Sequence, residues 1–162
     1  MRYNVSALLK APVGALIILK VDEGQHRIAE DLIVEYVRGT LRLTRTDQRV
    51  LAQGRIETQI PAECVRCLEP FNLPLSIRVE ELFTLFPASP PDKTYHIGED
   101  GYLNLDRPLA ELVQLTVPMQ TLCRPDCKGL CSRCGQNLNE GMCHCSDEPD
   151  DPRLAALRTL LK

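Results

Sequence analysis

The chain has 162 residues, with 19 Lys and Arg against 22 Asp and Glu, and a formal net charge of −3. This length fits one compact domain with at most a small appendage. A mildly acidic chain lacks the bulk positive charge of a protein that coats nucleic acid, so any contact with nucleic acid must be local.

The first apolar stretch, residues 11–19, reads APVGALIIL and raises the question of export. Lys10 and Lys20 flank it, no small-residue cleavage site follows, and it is too short to span a bilayer. We therefore expect a cytoplasmic protein. Because a reducing compartment keeps thiols free, the eight cysteines of the chain indicate metal binding rather than disulfide bonds.

Alternation of apolar and polar residues dominates the next part of the chain. Residues 37–44 and 52–60 both alternate, which is typical of half-buried β-strands. The polar link at 45–49 is short enough to join the two strands as a hairpin.

A third strand is predicted after the turn that holds Cys64 and Cys67. Sequential strands with short links usually pair antiparallel, so we expect an α+β fold with an antiparallel β-sheet, either a meander or barrel-like. Every second residue of the third strand should point inward, and most of these residues are apolar. They are Phe71, Leu73, Leu75, Ile77, Val79, Glu81, Phe83 and Leu85.

The second half changes character at the proline-rich stretch 86–93, which predicts a loop or linker. A helix should follow, with Asp106 as its cap, Pro108 in its first turn and Pro118 as its stop. The predicted inner stripe of this helix is Leu109, Leu112, Val113 and Thr116.

The end of the chain predicts a second, short helix. It should start at Pro152 with Asp151 as its cap, after an acidic spacer at 146–151. We expect two parts, a sheet domain with its following helix at 1–118 and a cysteine-rich C-terminal segment at 119–162. The predicted apolar side of the last helix is Leu154, Leu157, Leu160 and Leu161.

Cysteine spacing gives the most specific motif. Residues 122–145 read LCRPDCKGLCSRCGQNLNEGMCHC and hold six of the eight cysteines. Tetrahedral zinc takes four thiolate or imidazole ligands, usually delivered as two close pairs. The pairs predict one zinc site at Cys131, Cys134, Cys143 and Cys145, and leave a second, less certain set at Cys64, Cys67, Cys123 and Cys127.

One or two Zn²⁺ ions per chain would then stabilise the C-terminal segment without performing chemistry. His144 is an alternative ligand for one cysteine. Two enzyme interpretations are weaker. The spacing of Cys127, Cys131 and Cys134 resembles that of radical iron–sulfur enzymes, but the chain is too short for their barrel. A redox dithiol at Cys64 and Cys67 lacks the helix that would lower its pKa.

Arginines cluster between residues 38 and 55. This stretch holds five arginines and one acid, Asp47, for a local charge of +4. Those on the polar sides of the strands could grip an RNA backbone through its phosphates, or could only solvate the outer face of a sheet. The five candidate RNA-binding residues are Arg38, Arg42, Arg45, Arg49 and Arg55.

Three blocks together resemble a known family: CVRCLEPF at 64–71, NLDRPLAELVQLTVP at 104–118 and the cysteine cluster with its closing CHC. They are similar to the YceD family of large ribosomal RNA subunit accumulation proteins. The resemblance implies a bacterial, non-catalytic factor in large-subunit biogenesis that supports 23S rRNA processing or accumulation.

The partners that the resemblance implies are 23S rRNA or a large-subunit precursor, and a ribosomal protein or assembly factor. No membrane and no small-molecule substrate is expected. Two alternatives stay open at this point, a thiol-dependent redox enzyme and an adaptor that binds proteins only.

Overall fold

The computed structural model of the protein describes residues 1–85 and 95–145. The predicted linker at 86–93, the acidic spacer and the last helix lie outside these residues. In chain order the described elements are β1 (Arg2–Asn4), α1 (Ser6–Lys10), β2 (Leu16–Glu23), β3 (His26–Ala29), β4 (Leu32–Val34), β5 (Val37–Arg45), β6 (Arg49–Glu63), β7 (Pro70–Thr84), β8 (Tyr95–His96), β9 (Tyr102–Asn104) and α2 (Asp106–Thr116).

The main sheet has five strands in the order β2-β5-β6-β7-β8. Its centre is the predicted antiparallel meander, because β5 pairs with β6 and β6 pairs with β7. The longest ladder joins β6 and β7 and runs without a break from Arg49 opposite Thr84 to Glu63 opposite Pro70. The prediction of an antiparallel sheet followed by a helix is confirmed.

The barrel-like alternative is wrong for the part of the chain that the structure describes. Edge strand β2 pairs only with β5, and β8 adds just two residues, parallel to β7. The sheet stays open because its inner face is covered by α2 and the β3–β4 hairpin, which pack against β7 and β6. The strand β2 comes from the apolar stretch at 11–19 and beyond, whose role the sequence left unassigned.

The core lies on the inner face of the sheet. Alternate residues of β5, β6 and β7 are fully buried there, and they meet residues from α1, β9 and α2. Complete burial of one such side chain contributes about 1.5–3 kcal/mol. The largest of these buried residues are Phe83, Leu8, Leu41, Leu43, Ile56, Ile77, Leu103, Leu105 and Leu109.

The helix α2 begins one step differently from the prediction. Asp106 is its first helical residue rather than its cap, and Leu105 precedes it in a helical conformation. The backbone N–H of Asp106 donates instead to Oδ1 of Asn104, 2.9 Å away. The Asp106 carboxylate lies in the first turn, 3.1 Å from Nε2 of His26, which joins the helix to the β3–β4 hairpin.

Two glycines lie where the backbones of β5 and β6 come unusually close. A Cβ atom on Gly54 would lie 2.1 Å from the carbonyl oxygen of Thr40, and one on Gly39 would lie 2.2 Å from that of Arg55. Backbone carbonyls inside a ladder cannot move aside cheaply. The two glycines therefore permit a close approach that any side chain would block.

We predict that Gly54→Ala lowers the free energy of unfolding by about 1–3 kcal/mol, the usual range for overpacking a tight site. Urea denaturation followed by circular dichroism measures the change. Gly24→Ala is the matched control, because a Cβ atom there would have no neighbour within 4 Å. Equal stability of the two variants would contradict the close approach.

Candidate metal centres and a basic sheet face

The first group of cysteines forms at the far end of the β6–β7 hairpin. Cys64 and Cys67 lie on the turn between the two strands, and the segment after α2 brings the other pair to them. Three of the four thiols are buried, and the fourth, Cys123, is half-buried. We call this group the sheet-tip centre; its sulfur atoms all lie within 4.8 Å of one another, and its members are Cys64, Cys67, Cys123 and Cys127.

Backbone hydrogen bonds dock the segment after α2 onto the hairpin tip. The N–H of Val65 donates to the carbonyl of Thr121 at 2.9 Å, and the N–H of Leu130 donates to the carbonyl of Arg66 at 3.0 Å. The Arg66 guanidinium also donates to the carbonyl of Cys127 at 2.9 Å. Sulfur pairs approach to 3.8 Å across the joint, so the distant cysteines meet as one compact set.

The second group forms within the C-terminal segment itself. Its first pair lies on a knuckle in which the N–H of Gly135 donates to the carbonyl of Cys131 at 2.9 Å. Gly135 has a left-handed φ of 71°, which glycine adopts without steric cost. His144 is not among its grouped ligands. We call this group the C-terminal centre; its sulfur atoms lie within 4.8 Å, and its members are Cys131, Cys134, Cys143 and Cys145.

The two centres differ in exposure. In the C-terminal centre, Cys134 and Cys145 are exposed and the other two cysteines are half-buried. The sheet-tip centre is almost closed to solvent. A chelator would therefore reach a metal ion at the C-terminal centre more easily.

The electrostatics of each quartet fit a bound cation. Hydrogen bonds from backbone amides lower the pKa of Cys64 to about 6, and the amide of Cys123 has the largest effect. The thiol of Cys123 itself has its pKa raised to about 12 by burial. In the other quartet, the Cys134 amide lowers the pKa of Cys131 to about 6, and the Cys134 side chain raises the pKa of Cys145 to about 12.

In the sheet-tip centre the pKa is lowered at Cys64 and Cys127 and raised at Cys67 and Cys123. Each quartet thus favours some thiolates and penalises others. Four thiolates within 4.8 Å can ionise together only beside a cation. Four sulfur ligands with no fifth group are typical of a structural tetrahedral ion of borderline softness. Both groups of cysteines could therefore bind metal ions.

The turn at Cys64 and Cys67 does not have the geometry of a thioredoxin-like dithiol. That motif lies where a strand runs into the N-terminus of a helix, which lowers the thiol pKa. Here the two cysteines connect two antiparallel strands, and their partners are other cysteines.

The sequence-predicted arginines fall on different sides of the sheet. Arg38, Arg42, Arg49 and Arg55 are exposed on its outer face. Arg38 is paired there with Asp22, with Nε 3.0 Å from the carboxylate, and stacks 5.3 Å from the Tyr36 ring centre.

Arg45 is separated from that face. Strand alternation puts it on the side of Leu41 and Leu43, and its guanidinium donates to the carbonyls of Leu9 and Ala11. Arg45 therefore holds the end of α1 against the sheet rather than facing outward.

Two outer cations were missed by the sequence analysis. The register aligns Lys20, Thr40, Arg55 and Arg78 in one row across four strands. The sequence analysis could not place Lys20 on this face because its strand had no assigned partner. It could not place Arg78 there because the cross-strand neighbour of Arg78 depends on the register. We use the term basic face for four exposed cations from this row and the adjacent one, namely Lys20, Arg42, Arg55 and Arg78.

The basic face contains a pairing that stability alone does not favour. Arg55 lies directly opposite Arg78, and like charges at such positions destabilise a sheet. Glu80 neutralises part of this charge, since its carboxylate lies 3.0 Å from the Arg78 guanidinium. Arg42 donates to the neutral Gln53, at 3.1 Å. The face also borders a shallow depression lined by Arg42, Gln53, Gly54, Arg55, Arg78, Val79 and Glu80.

The fold and the two cysteine quartets define a small antiparallel-sheet protein with metal-binding-type cysteine clusters. Residues 52–161 match the family described as "Large ribosomal RNA subunit accumulation protein YceD". The chain belongs to the YceD family, as the sequence resemblance predicted.

Several relatives are similar over much of the chain. An uncharacterized protein of Mycobacterium tuberculosis is 35% identical over 126 residues, covering 75% of this chain and 60% of its own length. An Arabidopsis thaliana protein named as a chloroplastic YCED homolog 1 of the large ribosomal RNA subunit accumulation protein is 32% identical, covering 83% of this chain and 52% of its own. The Zea mays protein of the same name is 27% identical, covering 60% and 44%.

The chain thus spans about 60% of the length of its mycobacterial relatives. No solved structure matches it. In the described part of the chain, neither helix has the length and apolar character needed to cross a membrane.

We predict that Cys131→Ser loosens the C-terminal centre while the sheet stays folded, because metal binding at such a site is coupled to local folding and the sheet has its own core. Limited proteolysis should then cut within residues 131–145 and spare β5, β6 and β7. Ser132→Ala, which changes an exposed neighbour, is the control. Global unfolding of Cys131→Ser would contradict the independence of the sheet.

Proposed function

We propose that the protein is a non-catalytic factor in large ribosomal subunit biogenesis that supports 23S rRNA processing or accumulation. The observation that carries this proposal is the family match over residues 52–161. The names of the plant relatives, which refer to accumulation of large ribosomal RNA subunits, support it. The whole protein acts through binding, and its two centres serve structure rather than chemistry.

Each cysteine quartet holds one Zn²⁺ ion in this proposal. When bound, zinc supplies no reaction here, only four bonds to sulfur that hold chain segments together. At the sheet-tip centre, these segments are the β6–β7 turn and the stretch that carries Cys123 and Cys127. At the C-terminal centre, they are the knuckle and the closing Cys143–Cys145 pair.

Metal content tests this assignment directly. We expect two equivalents of zinc and no iron in protein purified without chelator, measured by elemental analysis with an absorption spectrum free of iron–sulfur bands. If one equivalent is found, Cys64→Ser and Cys134→Ser identify the filled centre by which of them loses it. Protein that folds with less than half an equivalent would contradict the structural role of zinc.

RNA is the proposed direct partner, and the basic face is the proposed contact surface. Guanidinium groups bind phosphate through two parallel hydrogen bonds and need no particular base sequence. The opposed pair Arg55 and Arg78 gains a physical reason if a phosphate lies between them, since an anion relieves their repulsion. Arg38 and Arg49 border this surface, while Arg45 is left out because of its bonds to α1.

A basic face on an acidic chain predicts salt-sensitive binding. Replacing three cations, Lys20→Gln, Arg42→Gln and Arg55→Gln together, should leave the fold unchanged, since exposed substitutions cost little. Affinity for large-subunit precursor RNA should fall, and the slope of log affinity against log salt should flatten by about 2, at about 0.7 for each lost phosphate contact on single strands.

The matched control removes the same charge elsewhere, with Lys10→Gln, Arg27→Gln and Arg107→Gln, all exposed and outside the basic face. Filter binding at several salt concentrations compares the three proteins. Equal losses of RNA affinity in both triple variants would show that net charge, and not the basic face, causes the effect. Unchanged binding in the first variant, with the protein still on precursor particles, would favour an adaptor that binds ribosomal proteins.

A further inference from the structure

The loop between the two ligand pairs of the C-terminal centre reaches back to the sheet-tip centre. This loop, residues 135–142, carries Asn139, whose side-chain Nδ2 lies 3.4 Å from Sγ of Cys127. Cys127 is 2% exposed and Asn139 is half-buried, so the contact is partly shielded from solvent. A residue enclosed by one quartet thus donates a hydrogen bond to a ligand of the other.

The orientation of the Asn139 amide is fixed by its other partners. Its Oδ1 accepts from the Arg124 guanidinium at 2.8 Å and from the backbone N–H of Lys128 at 2.9 Å. Its Nδ2 donates to Oδ1 of Asn137 at 2.8 Å as well as to Cys127. Both acceptor sites and both donors are used, and a flipped amide would lose these contacts.

The C-terminal centre shapes the loop that carries Asn139. Ligands bound the loop on both sides, Cys134 before it and Cys143 after it. Two backbone hydrogen bonds join the loop to the segment before it. The N–H of Cys131 donates to the carbonyl of Gln136 at 2.8 Å, and the N–H of Leu138 donates to the carbonyl of Gly129 at 2.9 Å. Between residues 131 and 145 no side chain is fully buried, so hydrophobic burial does little to order this loop.

We propose that Asn139 is a positioning residue that couples the two centres, so that the sheet-tip centre binds its metal tightly only when the C-terminal centre is filled. The inference rests on the proposed zinc sites. Four thiolates around a divalent ion retain net negative charge, and hydrogen-bond donors to sulfur stabilise that charge. Arg124 polarises the amide from its oxygen side and strengthens its donor side.

Coupling of this kind is reciprocal, because a filled sheet-tip centre must also favour the filled state of its partner by the same factor. The C-terminal centre is the more exposed one, so a chelator or oxidant reaches it first. Its loss then weakens the buried joint between the C-terminal segment and the β6–β7 hairpin. Release of one metal thereby frees the segment from the sheet in two linked steps.

Cadmium titration in competition with a chelator, read from separate ¹¹³Cd resonances of the two centres, tests the coupling. Asn139→Ala should weaken the sheet-tip centre about 10–100-fold, the usual effect of losing a partner of a metal ligand. Emptying the C-terminal centre with Cys134→Ser/Cys145→Ser should weaken it by the same factor, and adding Asn139→Ala to that variant should cause no further loss.

Two further variants separate coupling from a loss of loop structure. Asn139→Asp keeps the acceptor toward Arg124 and Lys128 but places a carboxylate against Cys127. The proposal expects a larger loss of affinity than with Asn139→Ala, whereas a purely structural role expects a smaller one. Gln136→Ala, an exposed amide in the same loop, should leave both affinities unchanged.

The outcomes distinguish this inference from the proposed function. Two filled centres with independent affinities would overturn the coupling and leave the zinc sites and the ribosomal role intact. A natively folded protein that binds no metal at either centre would overturn both the zinc assignment and the coupling. Circular dichroism on each variant confirms that the sheet is folded when the affinities are measured.

Discussion

The unbroken β6–β7 ladder is the interaction on which the rest of the structure depends. It joins two 15-residue strands from Arg49 to Thr84 in one register. Because side chains alternate, that single register puts Ile56 and Ile77 in the core and Arg55 and Arg78 in solvent. A slip of one residue would exchange the two faces and bury the charges. The same register carries the Cys64–Cys67 turn to the position where it meets the C-terminal segment.

The C-terminal segment depends on a different force. Among residues 119–145 only Cys127 and Gly129 are buried, so the segment has no apolar core of its own. Small units without a core need disulfides or metals, because hydrophobic burial cannot offset the loss of chain entropy. The two quartets, which could bind metal ions, lie where such support is needed. One closes the segment on itself, and the other joins it to the tip of the hairpin.

The outer face shows how an acidic protein can present a local positive surface. The chain carries a net charge of −3, yet the register gathers Lys20, Arg55 and Arg78 into one row. Salt screens charges beyond about 8–10 Å, so an RNA backbone at this face would meet the row rather than the whole chain. The cysteine quartets lie at the end of the hairpin and in the C-terminal segment, and the basic row lies along the side of the hairpin. The two features share a scaffold and occupy separate surfaces.

The sequence by itself determined the features that depend on local spacing. Period-two alternation predicted the three central strands and their faces, because successive side chains of a strand point to opposite faces of the sheet. Cysteine spacing predicted both quartets as the structure groups them, including the distant pair at Cys64 and Cys67. Only the tertiary structure decided the pairing of β2 with β5 and the open edge of the sheet, because pairing between distant strands depends on what covers each face. It also decided that Arg45 turns inward to α1 and that Asn139 reaches Cys127. Such contacts depend on how distant segments pack in space, and they produce no periodic pattern in the sequence.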